Sequence, residues 1–343
     1  MMRRYAYTYI LLVASLLLPT ACAVHQWPAE EEKIVEDVEL RLNLDFHPDM
    51  TLWEHYYDIE TNTLTEIATE TPTVYDNTQT TGFIRYIVRV YPITERSRAA
   101  DWHLQEYIFT SEFTGGDYDY ETEIKIPAGE YRIMAWADIG ESEGAEPRYD
   151  AGDFAQVVLV DHSLSTDYRD AFRGVGDVTL VQSRTPAVTT LHIDMRRPLA
   201  KCEIIAEGLE DFIQNNPTRN DISGYRVILA YTGYTPFAYS AVTDLLVDSR
   251  YGEQFETVMT PIDSSSVSLG FDYHFVRTED SSTRLQVAVF DSAGEEIAMS
   301  EPVQIPLRRD YHTVIRGKFL SANASGGFVG VDPSFSGEFN VIK

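Results

Sequence analysis

Residues 38–46 alternate strictly between apolar and polar side chains, and this pattern constrains the fold more than any other feature of the chain. The stretch reads Val-Glu-Leu-Arg-Leu-Asn-Leu-Asp-Phe. Successive side chains of a β-strand point to opposite faces, so one face collects Val38, Leu40, Leu42, Leu44 and Phe46. The pattern predicts a strand with one buried face near the start of the chain.

Strand patterns recur along the sequence, whereas helical patterns are few. Most candidate strands are rich in Val, Ile, Tyr and Phe and are bounded by Gly, Pro, Asn or Asp, as is typical of strands and their turns. They cover residues 83–93, 123–126, 131–137, 155–160, 188–195, 201–206, 225–231, 267–275, 285–290, 313–320 and 339–342. Short helices are predicted at 209–213 and at 165–172, the latter with Ser165 or Thr166 as N-cap. Residues 49–81 have weak periodicity and predict a large loop or edge strands.

Many short strands with little helix favour antiparallel sandwiches over alternating βα units. The chain has 343 residues, more than a single hydrophobic core usually serves, so two domains are expected. The best candidate for the boundary between the two domains is Met195-Arg-Arg-Pro198, because proline cannot donate a hydrogen bond within a central strand ladder. We therefore predict an all-β chain with two tandem antiparallel β-sandwich domains, at residues 38–196 and 197–343.

The first 22 residues have the composition of an export signal. Two arginines precede an apolar run at residues 6–18, and Pro19-Thr-Ala-Cys22 follows. The apolar run is too short to span about 30 Å of hydrocarbon easily. Small residues before Cys22 resemble the lipobox of bacterial lipoproteins, although Pro19 stands where that motif usually has Leu. We predict a signal peptide at 1–21, lipidation of Cys22 and an acidic leash at 22–37, and the alternative is an ordinary signal with an incidental Cys22.

The charge balance of the chain excludes several partners. The formal net charge is −27, and removal of the predicted signal makes it more negative. An acidic chain cannot displace counterions from phosphates, so no nucleic-acid partner is predicted. Attachment to an outer membrane would depend on the acyl chains of Cys22. With Cys22 acylated, Cys202 is the one cysteine left, and we expect it to be a small buried hydrophobe.

The sequence offers few candidates for catalysis or metal binding. The eight histidines are scattered without metal-site spacing, and Gly-x-Ser-x-Gly is absent, so no catalytic residue, metal site or cofactor is predicted. Acids at 117, 119, 121 and 123 could face one side of a hairpin and bind calcium. The preferred interpretation is a solvated strand face with Tyr118 and Tyr120 turned inward.

Aromatic residues leave a sugar-binding alternative open. Four Trp and 21 Tyr could form a platform that stacks on sugar rings, but aromatic side chains suit sandwich cores equally well. Trp136, within a predicted strand, is expected in the core. The 54 acidic residues make any carboxylate pair uninformative about glycoside hydrolysis.

Four segments, together with the lipoprotein signal, resemble Bacteroidales fimbrillin-type lipoproteins, most closely the fimbrial anchor (minor fimbrium accessory) subunits of type V pili. The segments are residues 37–45, 126–138, 195–201 and 305–320. The resemblance extends over nearly all of the chain after the signal. It implies two transthyretin-like β-sandwiches, assembly into or beneath a pilus, and no enzyme activity.

The resemblance also implies an assembly mechanism. In polymerising fimbrillins a protease cuts after an Arg near the first strand, and a strand from a neighbouring subunit fills the vacant groove, which is β-strand addition. Here the candidate cut is Arg41, which lies within the strand on its polar face. A cut there would divide the strand, so we favour an uncut first strand, as in an anchor that keeps its lipid.

The tail at 328–343, with Phe339, Val341 and Ile342, is a candidate donor strand or else the last strand of its own domain. The sequence thus predicts a non-enzymatic, lipid-anchored fimbrial or adhesion subunit at the outer membrane or cell surface. The main alternative is a surface glycan-binding lipoprotein, and a periplasmic hydrolase is a distant third.

Overall fold

β-Strands dominate the part of the chain that the structure describes. The structure, a computed structural model, describes residues 37–68, 74–75, 81–93, 102–115, 117–160, 164–182, 188–219, 221–277 and 280–322. The strands are β1 (Asp37–Phe46), β2 (Met50–Asp58), β3 (Thr63–Glu66), β4 (Val74–Tyr75), β5 (Thr81–Pro92), β6 (Gln105–Thr114), β7 (Tyr120–Pro127), β8 (Gly129–Gly140), β9 (Tyr149–Asp150), β10 (Val157–Leu159), β11 (Ala171–Leu180), β12 (Thr189–Met195), β13 (Leu199–Glu207), β14 (Arg226–Tyr231), β15 (Tyr234–Ser240), β16 (Leu245–Tyr251), β17 (Gln254–Val258), β18 (Thr260–Pro261), β19 (Ser266–Phe275), β20 (Ser281–Phe290), β21 (Glu296–Met299), β22 (Val303–Leu307) and β23 (Tyr311–Gly317). The helical elements are α1 (Leu209–Asn215) and 3₁₀ turns at Asp167–Arg169, Pro217–Arg219 and Phe319–Ser321. The all-β prediction is confirmed.

The strands form five sheets around three hydrophobic cores. Sheet A (β12–β1–β7) and sheet B (β11–β8–β5–β6) enclose the first core. Sheet C (β18–β19–β13–β23–β2–β3, with β4 on β2) and sheet D (β17–β14–β20–β21, with β22 on β20) enclose the second. Sheet E (β16–β15–β10–β9) covers a third core, to which Trp136 and Phe275 also contribute. Most pairings are antiparallel, but β1 with β12, β13 with β23 and β2 with β23 run parallel.

The clearest sequence patterns gave the right elements. β1 has the predicted alternation, with Leu40, Leu42 and Leu44 fully buried. The helix predicted at 209–213 is α1, and Cys202 and Trp136 are buried as expected. The candidate strand at 339–342 lies outside the described residues, as does Cys22. Within the ranges described, no helix is long and apolar enough to cross a membrane.

The helix predicted at 165–172 is wrong. Thr166 caps a single 3₁₀ turn by accepting a hydrogen bond from the Tyr168 N–H, and β11 begins at Ala171. The glycines at 174 and 176 lie inside β11 rather than in a loop. A Cβ on Gly174 would come within 2.5 Å of side-chain atoms of Ile193 and Met195, so the glycine lets β11 pack closely against β12.

The chain passes twice from sheet A to sheet C, and both passages run side by side. β1 leads into β2, and β12 leads through Arg197 and Pro198 into β13. Residues 50–66 lie in the range predicted for the first sandwich, yet β2 and β3 belong to sheet C because β2 pairs with β23. Residues 196–198 carry the chain from sheet A to sheet C, and the domain boundary expected there stays a prediction.

A buried ion pair holds the two passages together. The Arg197 and Asp170 side chains are both fully buried, and the guanidinium donates to both carboxylate oxygens at 2.8–2.9 Å. Its remaining donors reach the backbone carbonyls of His47, Pro48 and Asp49, between β1 and β2. Five donors in a planar fork suit this combination of a carboxylate and several carbonyls.

A second buried polar cluster lies between sheets C and D. Arg169 pairs with Asp272, and the Tyr231 hydroxyl lies 2.8 Å from Asp272 Oδ2 and 3.0 Å from His274 Nε2. Burial lowers the pKa of His274, and the positive charge of Arg169 lowers it further, whereas the Asp272 charge acts to raise it. Burial also lowers the pKa of His55.

Arg197→Ala is expected to destabilise the protein by about 3–5 kcal/mol, because it leaves the Asp170 charge buried without its partner. The matched control is Arg132→Ala, which removes an exposed Arg from an equally well-formed pair with Asp177 and should cost less than about 1 kcal/mol. Chemical denaturation of both variants measures the difference. Equal losses of unfolding free energy would contradict the role given to Arg197.

The free energy of unfolding is expected to fall as the pH decreases through about 6.5, because His274 and His55 bind protons more tightly in the unfolded chain than in the folded protein. His274→Gln removes one of these groups and should reduce the loss between about pH 7.5 and pH 5.5. Denaturant titrations of the unmodified protein and of His274→Gln at the two pH values measure how much unfolding free energy each loses. Equal losses would contradict the assignment of this pH dependence to His274.

Candidate functional site: the first strand and its groove

β1 is the central strand of sheet A and is paired along both sides. On one side Asp37–Leu44 pair antiparallel with Tyr120–Pro127 of β7, and on the other Leu40–Phe46 pair parallel with Thr189–Met195 of β12. Removing β1 would leave a groove between β7 and β12, each with a row of unpaired backbone N–H and C=O groups. This is the geometry that strand addition requires.

The inward side chains of β1 fill the first core. Leu40, Leu42 and Leu44 are fully buried, and Val38 packs at the margin of the cluster. The Phe46 ring, at the end of the strand, makes edge contacts with Tyr86, Tyr118 and Phe172 at centroid distances of 5.9, 6.0 and 5.1 Å. The five apolar residues predicted from the sequence therefore lie on the face toward the core.

Arg41, the candidate protease site, lies in the middle of β1 on the outward face. Its guanidinium donates to Glu123 Oε1 at 2.7 Å and lies 3.2 Å from Glu121 Oε1, both on β7. The hydrogen bond from Arg41 lowers the pKa of Glu123. The side chain is 41% exposed, but the backbone around it is paired with both neighbouring strands. A protease that binds an extended peptide would first have to separate β1 from the sheet.

The acidic segment 117–123 supports β1 from the β7 side. Tyr118 is buried, whereas the acids at 117, 119, 121 and 123 are exposed. Asp119 accepts a hydrogen bond of 2.7 Å from the Phe46 N–H, and Glu121 and Glu123 face Arg41. Among the described residues no three metal-ligating side chains converge. The arrangement agrees with the solvated-face interpretation.

On the β12 side, His192 and Asp45 form an exposed pair across the parallel ladder. Their Nδ1 and Oδ2 atoms are 2.9 Å apart, and the His192 side chain is 63% exposed, as its outward position in the pattern predicts. The sequence identified β1 and the segments that become β7 and β12, but not that both flank β1. A strand pattern carries no information about which strands pair.

Other places on the described part of the protein were candidates for a ligand, among them a small cavity and a pair of exposed tyrosines. A cavity of about 20 Å³ borders Arg169, Asp272 and His274, which is room for about one water molecule. Tyr234 and Tyr251, on β15 and β16, are more than half exposed. Their ring centroids lie 5.3 Å apart at an interplanar angle of 64°. Because the rings are steeply inclined, the pair is not a flat platform for a sugar.

The chain belongs to a family of unknown function, DUF6562, whose profile matches residues 35–342. No curated protein matches the chain in sequence.

Several solved structures resemble it at low identity. The fimbrial anchor protein Mfa2 from Porphyromonas gingivalis is 15% identical, with 76% of this chain and 82% of that one covered and a TM-score of 0.39. The tip fimbrial protein Mfa3 from the same species is 10% identical, with coverages of 79% and 81% and a TM-score of 0.36. A Bacteroides thetaiotaomicron protein assigned provisionally to polysaccharide binding is 15% identical, with coverages of 76% and 80% and a TM-score of 0.40.

Folded protein is expected to resist an Arg-specific protease at Arg41. Leu44→Ala should destabilise the protein by about 2–5 kcal/mol and increase cleavage after Arg41, because β1 separates more often from its neighbours. Glu112→Gln, at an exposed position on β6, should leave the cleavage rate unchanged. N-terminal sequencing of timed digests identifies the cut. Rapid cleavage of the unmodified protein after Arg41 would contradict the prediction.

Proposed function

We propose that this member of a family of unknown function is a lipid-anchored, non-enzymatic fimbrial or adhesion subunit of the outer membrane or cell surface. Cys22 carries the lipid, residues 22–37 form the leash, and β1 stays uncut in its own groove. The subunit engages other fimbrial subunits by β-strand addition.

The observation that carries the proposal is the two-sided pairing of β1 around Arg41. A subunit that must receive a donor strand in this groove has to lose β1 first. Here β1 is paired with β7 and β12 and buries three leucines, so its removal would be costly. A subunit that keeps this strand also keeps the covalent path from the first sandwich to Cys22, which is what an anchor requires.

The donor in this proposal is the tail at 328–343. Its apolar residues Phe339, Val341 and Ile342 are spaced for a strand that places Phe339 and Val341 on one face. With the groove between β7 and β12 filled by β1, the tail is the segment available for another subunit. This role follows the fimbrillin resemblance of the sequence and lies outside the described residues.

The anchoring half of the proposal is tested by expressing the full chain in its native host and separating membrane from soluble fractions. The chain is expected in the outer-membrane fraction, with an intact mass that corresponds to an acylated Cys22 start and an uncut β1. Cys22→Ala should move it to the soluble fraction. A mature start just after Arg41, or membrane retention of Cys22→Ala, would overturn the anchor role.

The assembly half needs a separate variant. Deletion of residues 328–343 should leave the chain in the membrane but abolish co-purification of other fimbrial subunits after mild solubilisation. A matched control replaces Lys343 with Ala, which leaves the apolar residues intact. Unchanged co-purification in the deletion variant would remove the tail from the assembly mechanism without affecting the anchor role.

A further inference from the structure

A buried lysine, Lys201, pairs with the partly exposed Asp167 and connects β13 of sheet C to the turn that leads into β11 of sheet B. Lys201 lies on β13, and its side chain is 1% exposed. Asp167 lies in the 3₁₀ turn before β11. The Lys201 Nζ is 2.7 Å from Asp167 Oδ1. Lysine is among the residues least often buried in proteins, so its full burial against a single turn calls for an explanation.

Aromatic rings surround the amine. The Nζ atom is 3.9 Å from the centroid of the Phe271 ring and 5.5 Å from that of Tyr273. The Tyr273 hydroxyl donates a 2.7 Å hydrogen bond to the same Asp167 Oδ1. One carboxylate oxygen of the partly exposed Asp167 thus contacts both a buried amine and a phenol.

We propose that Lys201 and Asp167 are the site of an intramolecular isopeptide bond, formed by condensation of the Lys201 amine with the Asp167 carboxyl group. Such a bond would join the two sandwiches covalently, in addition to the main chain.

The geometry supplies each part of the reaction. Transfer of a proton from Nζ to Oδ1 replaces a buried ammonium and a partly exposed carboxylate with a neutral amine and a carboxylic acid, and burial of Lys201 favours the neutral amine. The nitrogen lone pair then attacks Cγ, the second nitrogen proton passes to the departing Oδ1, and Oδ1 leaves as water. One C–N bond forms, one C–O bond breaks, and no oxidant or reductant is needed.

Tyr273 assists this step as a hydrogen-bond donor to the departing oxygen. Burial raises the pKa of its phenol, so the hydroxyl keeps its proton and can donate throughout the reaction. Tyr273 is the antiparallel register partner of Lys201 on β19, which fixes the phenol beside the amine.

Two more titratable groups lie on the same face of sheet C. His312 is the register partner of Lys201 on β23, and Glu203 is two residues along β13. The His312 Nε2 and Glu203 Oε2 atoms are 3.1 Å apart. Burial acts to raise the pKa of Glu203, but the hydrogen bond with His312 and the charge of Lys201 lower it overall. Glu203, on the same strand as the amine, is therefore held as a carboxylate beside His312.

The test is a tryptic peptide map of the full chain, because it does not depend on where the mature protein begins. Trypsin does not cut at a lysine whose amine is acylated. The bond predicts a branched peptide that joins residues 149–169 to residues 197–219, with Lys201 uncut and the mass of one water missing. Separate, unmodified peptides 149–169 and 197–201 from the folded protein, with no branched species, would overturn the proposal and leave an ordinary salt bridge.

Three variants separate the chemistry from folding. Lys201→Arg keeps the positive charge and the ion pair but should give no branched peptide. Asp167→Ala should also give none. Tyr273→Phe keeps the ring and should slow formation of the branched species after refolding from denaturant, without changing the final fold measured by circular dichroism. A branched peptide that persists in Lys201→Arg would show that another residue is linked.

Discussion

The buried pair of Arg197 and Asp170 is the interaction on which the passage of the chain from sheet A to sheet C depends. A buried ion pair stabilises a fold little in net terms, because desolvation of the charges offsets their attraction. Its effect here is geometric, since one guanidinium binds Asp170 beside β11 and the backbone carbonyls between β1 and β2. Any other arrangement of the two passages would leave these charges without partners.

The same pair limits the freedom of the first strand. β1 ends at Phe46, and the carbonyls that Arg197 binds follow directly. The first strand is therefore held along both sides by hydrogen bonds, at its centre by Arg41 and the β7 acids, and at its end by a buried cation. The contacts that hold β1 in sheet A and the contacts that Arg197 makes between the two passages therefore lie in adjacent parts of the same structure.

Where a strand buries only one face, its buried side chains could be predicted from the sequence. The pairing of residues that are distant in sequence could not. The pattern of β1 identified every inward side chain because only one face is buried. The segment 165–172 misled the same reasoning, since Thr166 suggests a helix N-cap but caps only a single 3₁₀ turn, and Arg169 and Asp170 are buried against Asp272 and Arg197. The sequence around Lys201 does not indicate its partner, because Asp167 is close to Lys201 only in the folded protein. The groove around β1 likewise depends on β12, which pairs in parallel from a distant part of the chain.

The parallel pairing of β2 with β23 has a consequence for the order in which the molecule can form. Thr51 pairs with Tyr311, and Arg316 binds Glu54 across 262 residues of sequence. A chain synthesised from its N-terminus contains β2 long before β23 exists. Contacts so distant in sequence slow folding and leave strand edges exposed meanwhile. Sheet C can therefore be completed only after Tyr311–Gly317 has been synthesised, and a chain shortened to before β23 would lose the centre of that sheet.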